Sequence, residues 1–508
     1  MKRKLSNQAR YYGPEDVGVH TEDILNASRY IDTSRCTDDA VLGRQQIGSE
    51  LNQWVKPVTQ FGDEASSWVV KLKASPFVGE IDFPRRQWAR ARDAVDEVLK
   101  LLLKEMRAKV VGVTHLKIDS YIRQGSARDG LKVIAPDEFD VAFEFHIERL
   151  EYVESPIQVS SRPIPGFCYI KVRNATANLL AQRYPELWRK EVFIEMNGSV
   201  FLSSKNLYTA LFLPIIDQSC ASIEEKIKKI AGVKFRLTRR TNPPAVNITI
   251  HLDTDGNNLF MPQGRIQNPT GGISKIDVDV IPAIRLKKDD QSFYQGSYMN
   301  AFIHGIPKWK EDGARGAFEV ADQDRVWLIN SVAYERHMFD VARLSEKQRY
   351  ILTALRIVKT YFKKTKKRNP PPPITTILKS YHLKQIACYA ILYTCHIHRS
   401  FRIDSAHKAI IYFLRLLEVC LEKKRLPHFF YSNTKIGAMF NNYVPQGSRM
   451  LRYDMFRQIP NDALQQVLYS YKNHLCPDLG IFWTGPSNQE LTTVMGEMRQ
   501  EASKGEYF

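Results

Sequence analysis

The chain has 508 residues, 44% hydrophobic and 25% charged, with a formal net charge of +18 and a pI near 9.4. That apolar content supplies a sizeable core and excludes a disordered or collagen-like chain, while the longest apolar runs, such as Leu207–Ile216, fall short of the roughly 20 residues a membrane span takes. A positive excess this large favours polyanions such as nucleic acid or nucleotides, and seven scattered cysteines without a CxxC point to reduced thiols rather than a disulfide scaffold.

The basic start MKRKLSNQARYYG is not followed by an apolar stretch, so it does not read as a secretory signal. A cytoplasmic protein is expected, with a nuclear pool as the variant and no membrane partner. Residues 1–80 show no sustained period and read as an N-terminal extension. Asp82 and Pro84 then look like a helix start. Trp88, Ala91, Val95, Val98, Leu102 and Met106 recur at spacings of three and four, one face of a long amphipathic helix. Ile118 to Ile122 reads as a strand ending at Gly125-Ser126. Glu138–Phe145, the run from Val233 to Leu237, the alternation Val246, Ile248, Ile250, Leu252 and the face Ile276, Val278, Val280 read as further strands. Ser222 with Glu225 forms a capping-box pattern ahead of Ile223, Ile227 and Ile230. After about Trp327 helical periods take over: Ile351, Leu355, Val358 and Phe362; then Ile386, Tyr389 and Tyr393; then Ile411, Leu414, Leu417 and Val419. Between the first two, KKTKKRNPPPP (Lys363–Pro373) reads as a loop, because successive prolines cannot continue a helix. Cys388, Cys395, His396 and His398 have the spacing of a buried helix face rather than a metal site.

The segment GSARDGLKVIAPDEFDV, Gly125–Val141, carries the chemistry. Glu138 and Asp140 lie two apart on a strand and so share a face, with Phe139 turned to the other side. Two carboxylates on one face repel unless a cation lies between them, and Mg²⁺, held by a few carboxylates and by substrate phosphates, is the usual answer. A third acid from IDVDV would complete the clamp, and by spacing alone either Asp277 or Asp279 serves. Upstream, Gly125-Ser126 lets a triphosphate approach the backbone closely, where the N–H groups and the serine hydroxyl can donate to phosphate oxygens.

This segment, with RRTNPPAVNITI, KIDVDVIPAI, LRIVKTYF, SYHLKQIA and CLEKKRLPHFF, resembles the nucleotidyltransferases of the cyclic GMP-AMP synthase and male-abnormal developmental protein family. The likeness spans about residue 85 to about residue 475. It implies an α/β + α fold: a mixed β-sheet catalytic lobe and a helical C-terminal lobe joined by a long bracing helix, with domains 1–80 (extension), 81–335 (catalytic lobe with bracing helix) and 336–508 (helical lobe). By resemblance Glu138, Asp140 and Asp279 bind two Mg²⁺, with Mn²⁺ as a substitute, and Asp277 supports them from behind. Gly125 and Ser126 cradle the triphosphate; Lys359, Ser380 and Lys384 reach phosphate; Tyr381 stacks on a base; Glu335 lines the nucleotide pocket.

The implied activity is a cyclic dinucleotide synthase using ATP and GTP, a nucleic-acid-activated sensor of antiviral innate immunity, with dimerisation on the ligand. The alternative is a nucleotide-binding developmental scaffold of the same family with little catalysis. The segment Ala333–Leu355 contains His337 but no cysteine, so the zinc module of the vertebrate synthase is missing and no zinc is expected. Double-stranded RNA is therefore expected ahead of double-stranded DNA, bound by Arg85, Arg86, Arg90 and Arg92 and by Lys363, Lys364, Lys366 and Lys367, on a surface away from the catalytic mouth. Ile281, Leu328 and Asn330 stand where the vertebrate enzyme reads guanine, so selection for GTP is expected to be weak.

Overall fold

The computed structural model describes residues 22, 53–57, 59, 61, 66–111, 115–159, 162–230, 235–252, 273–286, 303–309, 323–398, 403–433, 454–481 and 489–503. Its first half is built on an 11-stranded mixed sheet with helices against one face, and its second half is helical. Among the described residues no helix is long and apolar enough to cross a membrane.

The long helix expected after Pro84 is α2 (Arg85–Val110), following a short α1 (Ser67–Ala74). Its apolar stripe is buried as the spacing required, with Ala91, Val95 and Met106 fully enclosed. It packs mainly on β1 (Leu116–Gln124) and on the later helix α4 (Leu213–Lys228). The link to the helical half comes from the residue just ahead of it: Asp82 accepts from the Arg356 guanidinium at 2.6 Å.

After β1 the chain makes one tight turn, α3 (Gly125–Arg128), and returns as β2 (Glu138–Ile147), antiparallel to β1. β3 (Tyr152–Val159), β4 (Arg162–Val172), β5 (Phe193–Met196) and β6 (Ser199–Leu202) form the far wing. β7 (Phe235–Asn242) and β8 (Ala245–Leu252) form a hairpin that pairs through β8 with β9 (Lys275–Arg285). β9 is the hub: it runs parallel to β2, antiparallel to β8, and at its far end antiparallel to β10 (His304–Pro307), which pairs with β11 (Trp327–Asn330). Its burial alternates as the sequence does, with Ile276, Val278 and Val280 inside and Asp277, Asp279 and Ile281 on the open face.

The helical half comprises α5 (Val332–Leu344), α6 (Glu346–Thr365), α7 (Ser380–Ile391), α8 (Ala406–Glu422), α9 (Asn461–Ser470) and α10 (Gln489–Ser503). One continuous buried core runs through both halves.

Two local expectations are corrected, and two further features bear on the division of the chain. Ser222 is not a cap: α4 begins at Leu213, because the apolar run before Ser222 continues the helix face through it. The loop drawn at Lys363–Pro373 starts later, since α6 holds to Thr365 before the prolines stop it, and Pro373 itself opens a short helical turn. The boundary placed after residue 335 falls inside α5, so the chain crosses between the halves within one helix. The extension is partly core: Trp54, Trp68, Val69, Leu72 and Val78 are buried, and the Trp68 indole donates to the Leu479 carbonyl at 2.9 Å.

Candidate active site

The parallel register of β2 on β9 sets Glu138 opposite Asp277 and Asp140 opposite Asp279. Four acidic residues thus share the open face of two adjacent strands, whose backbones lie about 4.8 Å apart. Phe139, between the two acids of β2, is fully buried and anchors the strand. Asp140 feels its neighbours most: burial, then Glu138, then Asp279 push its pKa up to about 7. Asp279 is raised by burial and by Glu138, against an opposing hydrogen bond from Asn247. A set of hard oxygen donors whose own repulsion disfavours full ionisation suits a divalent cation. As they stand, no three such groups among the described residues converge closely enough to hold an ion.

Each of three of these acids has a donor among its neighbours. Asn247 donates to Asp279 at 2.9 Å, and Thr249 donates to Asp277 at 2.6 Å. Lys132 donates to Glu138 at 3.1 Å. Asp137, next to Glu138, is flanked by Lys132 at 3.3 Å and Lys363 at 3.0 Å, which outweigh burial and lower its pKa. None of Asn247, Thr249, Lys132 or Asp137 was singled out by sequence. Asn247 and Thr249 could have been, as polar residues alternating within an otherwise apolar strand.

Gly125 lies against the acids. It has φ +68°, and a Cβ there would sit 1.7 Å from Asp140 Oδ2. Only glycine lets the backbone lie this close to the carboxylate. Ser126 beside it accepts from Lys359 at 2.7 Å, and the same ammonium donates to the Leu131 carbonyl at 2.9 Å. Burial, then Lys132 and Lys384, push the Lys359 pKa down to about 7. The expected pair of a turn serine and a helical-lobe lysine is therefore brought together.

The other helical-lobe residues turn to each other. Lys384 is buried between Asp129 and Glu335, donating to each at 2.7 Å. Burial opposes its charge, but the two carboxylates carry its pKa well above the ordinary lysine value. Glu335 is lowered in return: burial raises it, and Lys384 more than offsets that. The Tyr381 hydroxyl donates to Glu335 at 2.8 Å and meets His428 at 3.2 Å, and Ser331 donates to Glu335 at 3.0 Å. In this arrangement Lys384 is neutralised by protein acids rather than presented to phosphate, whereas Ser380 is exposed. Asp129, Ser331 and His428 complete a network that sequence reasoning did not foresee, because its members come from four separate elements.

Ile281 and Leu328 pack with Ile122 on Ala142, Ala283 and Ile306, an apolar shelf beside the acids. Asn330 donates to Gln124 at 3.4 Å at its edge. Of the basic residues expected to bind a duplex, Arg85, Arg86, Lys366 and Lys367 are exposed, and Arg90 and Lys364 are half-buried. Arg92 is engaged by Asp93 at 2.7 Å. Lys363 corrects the expectation of a surface away from the catalytic mouth: its partner Asp137 adjoins Glu138, so this lysine belongs to the acidic site.

Residues 127–296 match the family model of the Mab-21 protein nucleotidyltransferase domain. The chain carries a Mab-21-type nucleotidyltransferase domain. The matched span contains Glu138, Asp140, Asp277 and Asp279 on the two paired strands. Gly125, Ser126 and the helical-lobe residues lie outside it. No curated protein sequence matches the chain. Among solved structures, the complex of E. coli MS115-1 CdnC with HORMA-deltaN is similar at 11% identity, TM-score 0.38, over 86% of this chain and 98% of that one. E. coli MS115-1 CdnC with ATP is similar at 12% identity, TM-score 0.39, with the same coverage.

Proposed function

We propose that this Mab-21-type domain joins two nucleoside triphosphates into a cyclic dinucleotide, in response to double-stranded nucleic acid, and that RNA is the activating duplex. The observation that carries the reading is the register of β2 on β9, which gathers Glu138, Asp140, Asp277 and Asp279 on one face beside the glycine turn that lies against Asp140. Glu138, Asp140 and Asp279 would hold the divalent ions, which when bound supply Lewis-acid neutralisation of phosphate charge.

In each transfer a ribose hydroxyl of one nucleotide attacks the α-phosphorus of another. A new P–O bond forms, the bond to the β-phosphate breaks, pyrophosphate leaves with the electron pair, and the hydroxyl proton is released. The chain's own part is placement. Ser126 and the Gly125 backbone receive the polyphosphate, and Lys359 follows onto it from Ser126. The shelf of Ile281 and Leu328 offers a base an apolar seat without a forked donor, which supports weak selection between purines. A second reading, a nucleotide-binding scaffold, is favoured by Lys384, which Asp129 and Glu335 hold at 2.7 Å each instead of leaving it to a phosphate.

Incubation of the full chain with labelled ATP and GTP and Mg²⁺ or Mn²⁺, with and without long double-stranded RNA or DNA, separates the readings. A cyclic product formed only with RNA supports the proposal. Nucleotide binding without product under every condition supports the scaffold.

A further inference from the structure

The open face of the sheet does not end at the acids. Each paired residue on antiparallel strands faces the same side as its partner. Asp279 on β9 stands opposite Asn247 on β8, and Asn247 stands opposite Arg240 on β7. One step along, Asp277 stands opposite Thr249, and Thr249 opposite Thr238. One step further, Lys275, His251 and Arg236 form the third row. The face assignment is confirmed by contacts: Asn247 reaches Asp279, and Thr238 lies 2.8 Å from His251. The intervening Phe235 and Leu237 are buried, and Arg239 turns to the opposite side, where Asp217 takes it at 2.7 Å.

Arg236 and Arg240 are therefore exposed arginines on the acids' own face: Arg240 is two strands from Asp279, about 10 Å at the backbone, and Arg236 lies four residues along β7 from Arg240, about 13 Å further toward the row of Lys275. An extended Arg240 side chain covers much of the gap to Asp279, and Arg236 continues the positive edge along the strand. The cations already described, Lys359 with Ser126, and Lys132, lie on the β1–β2 side of the acids. Arg236 and Arg240 lie on the β8–β7 side. A reaction between two nucleoside triphosphates has two polyphosphates to accommodate, and the glycine turn takes one.

We infer that Arg236 and Arg240 hold the 5′-polyphosphate of the second, hydroxyl-bearing nucleotide, across the acids from the glycine turn. Guanidinium groups suit it, since each can give a phosphate paired N–H donors and stays charged at any relevant pH. The inference rests on the nucleotidyltransferase reading and adds to it the seat of the acceptor.

The test separates the two. The full chain is saturated with a non-hydrolysable ATP analogue and Ca²⁺, which fills the donor seat without turnover. GTP and guanosine, and in a second series ATP and adenosine, are then titrated by calorimetry. The wild type is expected to bind each triphosphate at least about 10-fold more tightly than its nucleoside, equivalent to about 1.4 kcal/mol. In Arg236→Ala/Arg240→Ala that ratio should fall to near one, with affinity for the analogue and for the bare nucleosides unchanged. Arg240→Lys should recover part of it. A ratio equal to the wild type's in the double variant overturns the acceptor seat while leaving the nucleotidyltransferase reading intact. So does loss of duplex RNA binding with the ratio retained, which would make these arginines a nucleic-acid surface. Failure of the analogue itself to bind the wild type overturns the nucleotide reading and this inference with it.

Discussion

At the residue scale, burial and like charge decide what each acid does. Asp279 and Asp277 look equivalent in the sequence, but Asp279 is level with Asp140 and Asp277 is level with Glu138. Asp277 also has Thr249 at 2.6 Å and Lys275 at 3.4 Å as protein partners. Asp279→Asn is expected to abolish product formation, at least about 100-fold, with folding intact, and Asp277→Asn to lower it far less. Rates and circular dichroism on both variants check this, and the reverse ranking would show Asp277 to be the third ligand. Lys359 gives a pH signature. Its pKa is held down to about 7 in the fold, whereas an unfolded lysine keeps its ordinary value near 10.5. Between those values the unfolded chain binds one more proton, so stability rises with pH, by at most about 1.4 kcal/mol per unit. That contribution is full above the unfolded value and lost as pH falls toward about 7. Urea denaturation of the wild type and Lys359→Met at about pH 7.5 and about pH 9.5 should show the wild type gaining roughly 2 kcal/mol more. Parallel behaviour would mean that the folded lysine stays charged.

At the scale of elements, α2 joins the sheet that carries the acids to exposed Arg85 and Arg86. It packs on β1, whose last residue, Gln124, is level with Asp140 and leads into the glycine turn. A duplex bound to the exposed end of α2 could bias the turn through β1, a population shift rather than new chemistry. Reversing Arg86 and Arg90 together is expected to weaken duplex RNA binding at least about 10-fold and remove stimulation, with nucleotide affinity unchanged. Wild-type binding should fall steeply with salt, because each neutralised phosphate releases counterions. Full stimulation of the charge-reversed protein would leave these arginines as a solvated helix end.

At the scale of the whole molecule, the two halves meet through buried charge. Arg356 of α6 reaches Asp82 and the Lys132 carbonyl, Lys384 of α7 reaches Asp129, and Arg128 pairs with Asp340 of α5 through two bonds of 3.1 Å. The segment ahead of α2 contributes too, through Trp68 on Leu479. Trp68→Ala should cost about 3–5 kcal/mol of stability by opening a cavity at this junction. A thermal melt measures it, and a midpoint unchanged from the wild type would show that α1 does not bear on the junction.

The sequence by itself determined the elements with a clear period and the acidic chemistry they offer, but not strands as short as β5, β6 and β10. Residues whose role follows from local spacing were legible: the apolar stripe of α2, the shared face of Glu138 and Asp140, the alternation of β9, and the helical periods after Trp327. These are period-two and period-3.6 effects, written within one segment. Boundaries set by competition between neighbours were not, which is why Ser222 fell inside a helix and α6 outran Lys363. Only the tertiary structure decided the rest, because strand register and lobe contact join residues far apart in the chain. It set Asp279 beside Asp140, gave Asn247 and Thr249 their carboxylates, and buried Lys384 between Asp129 and Glu335. It also brought Lys363 to Asp137, the residue ahead of β2, close enough that attraction outweighs burial.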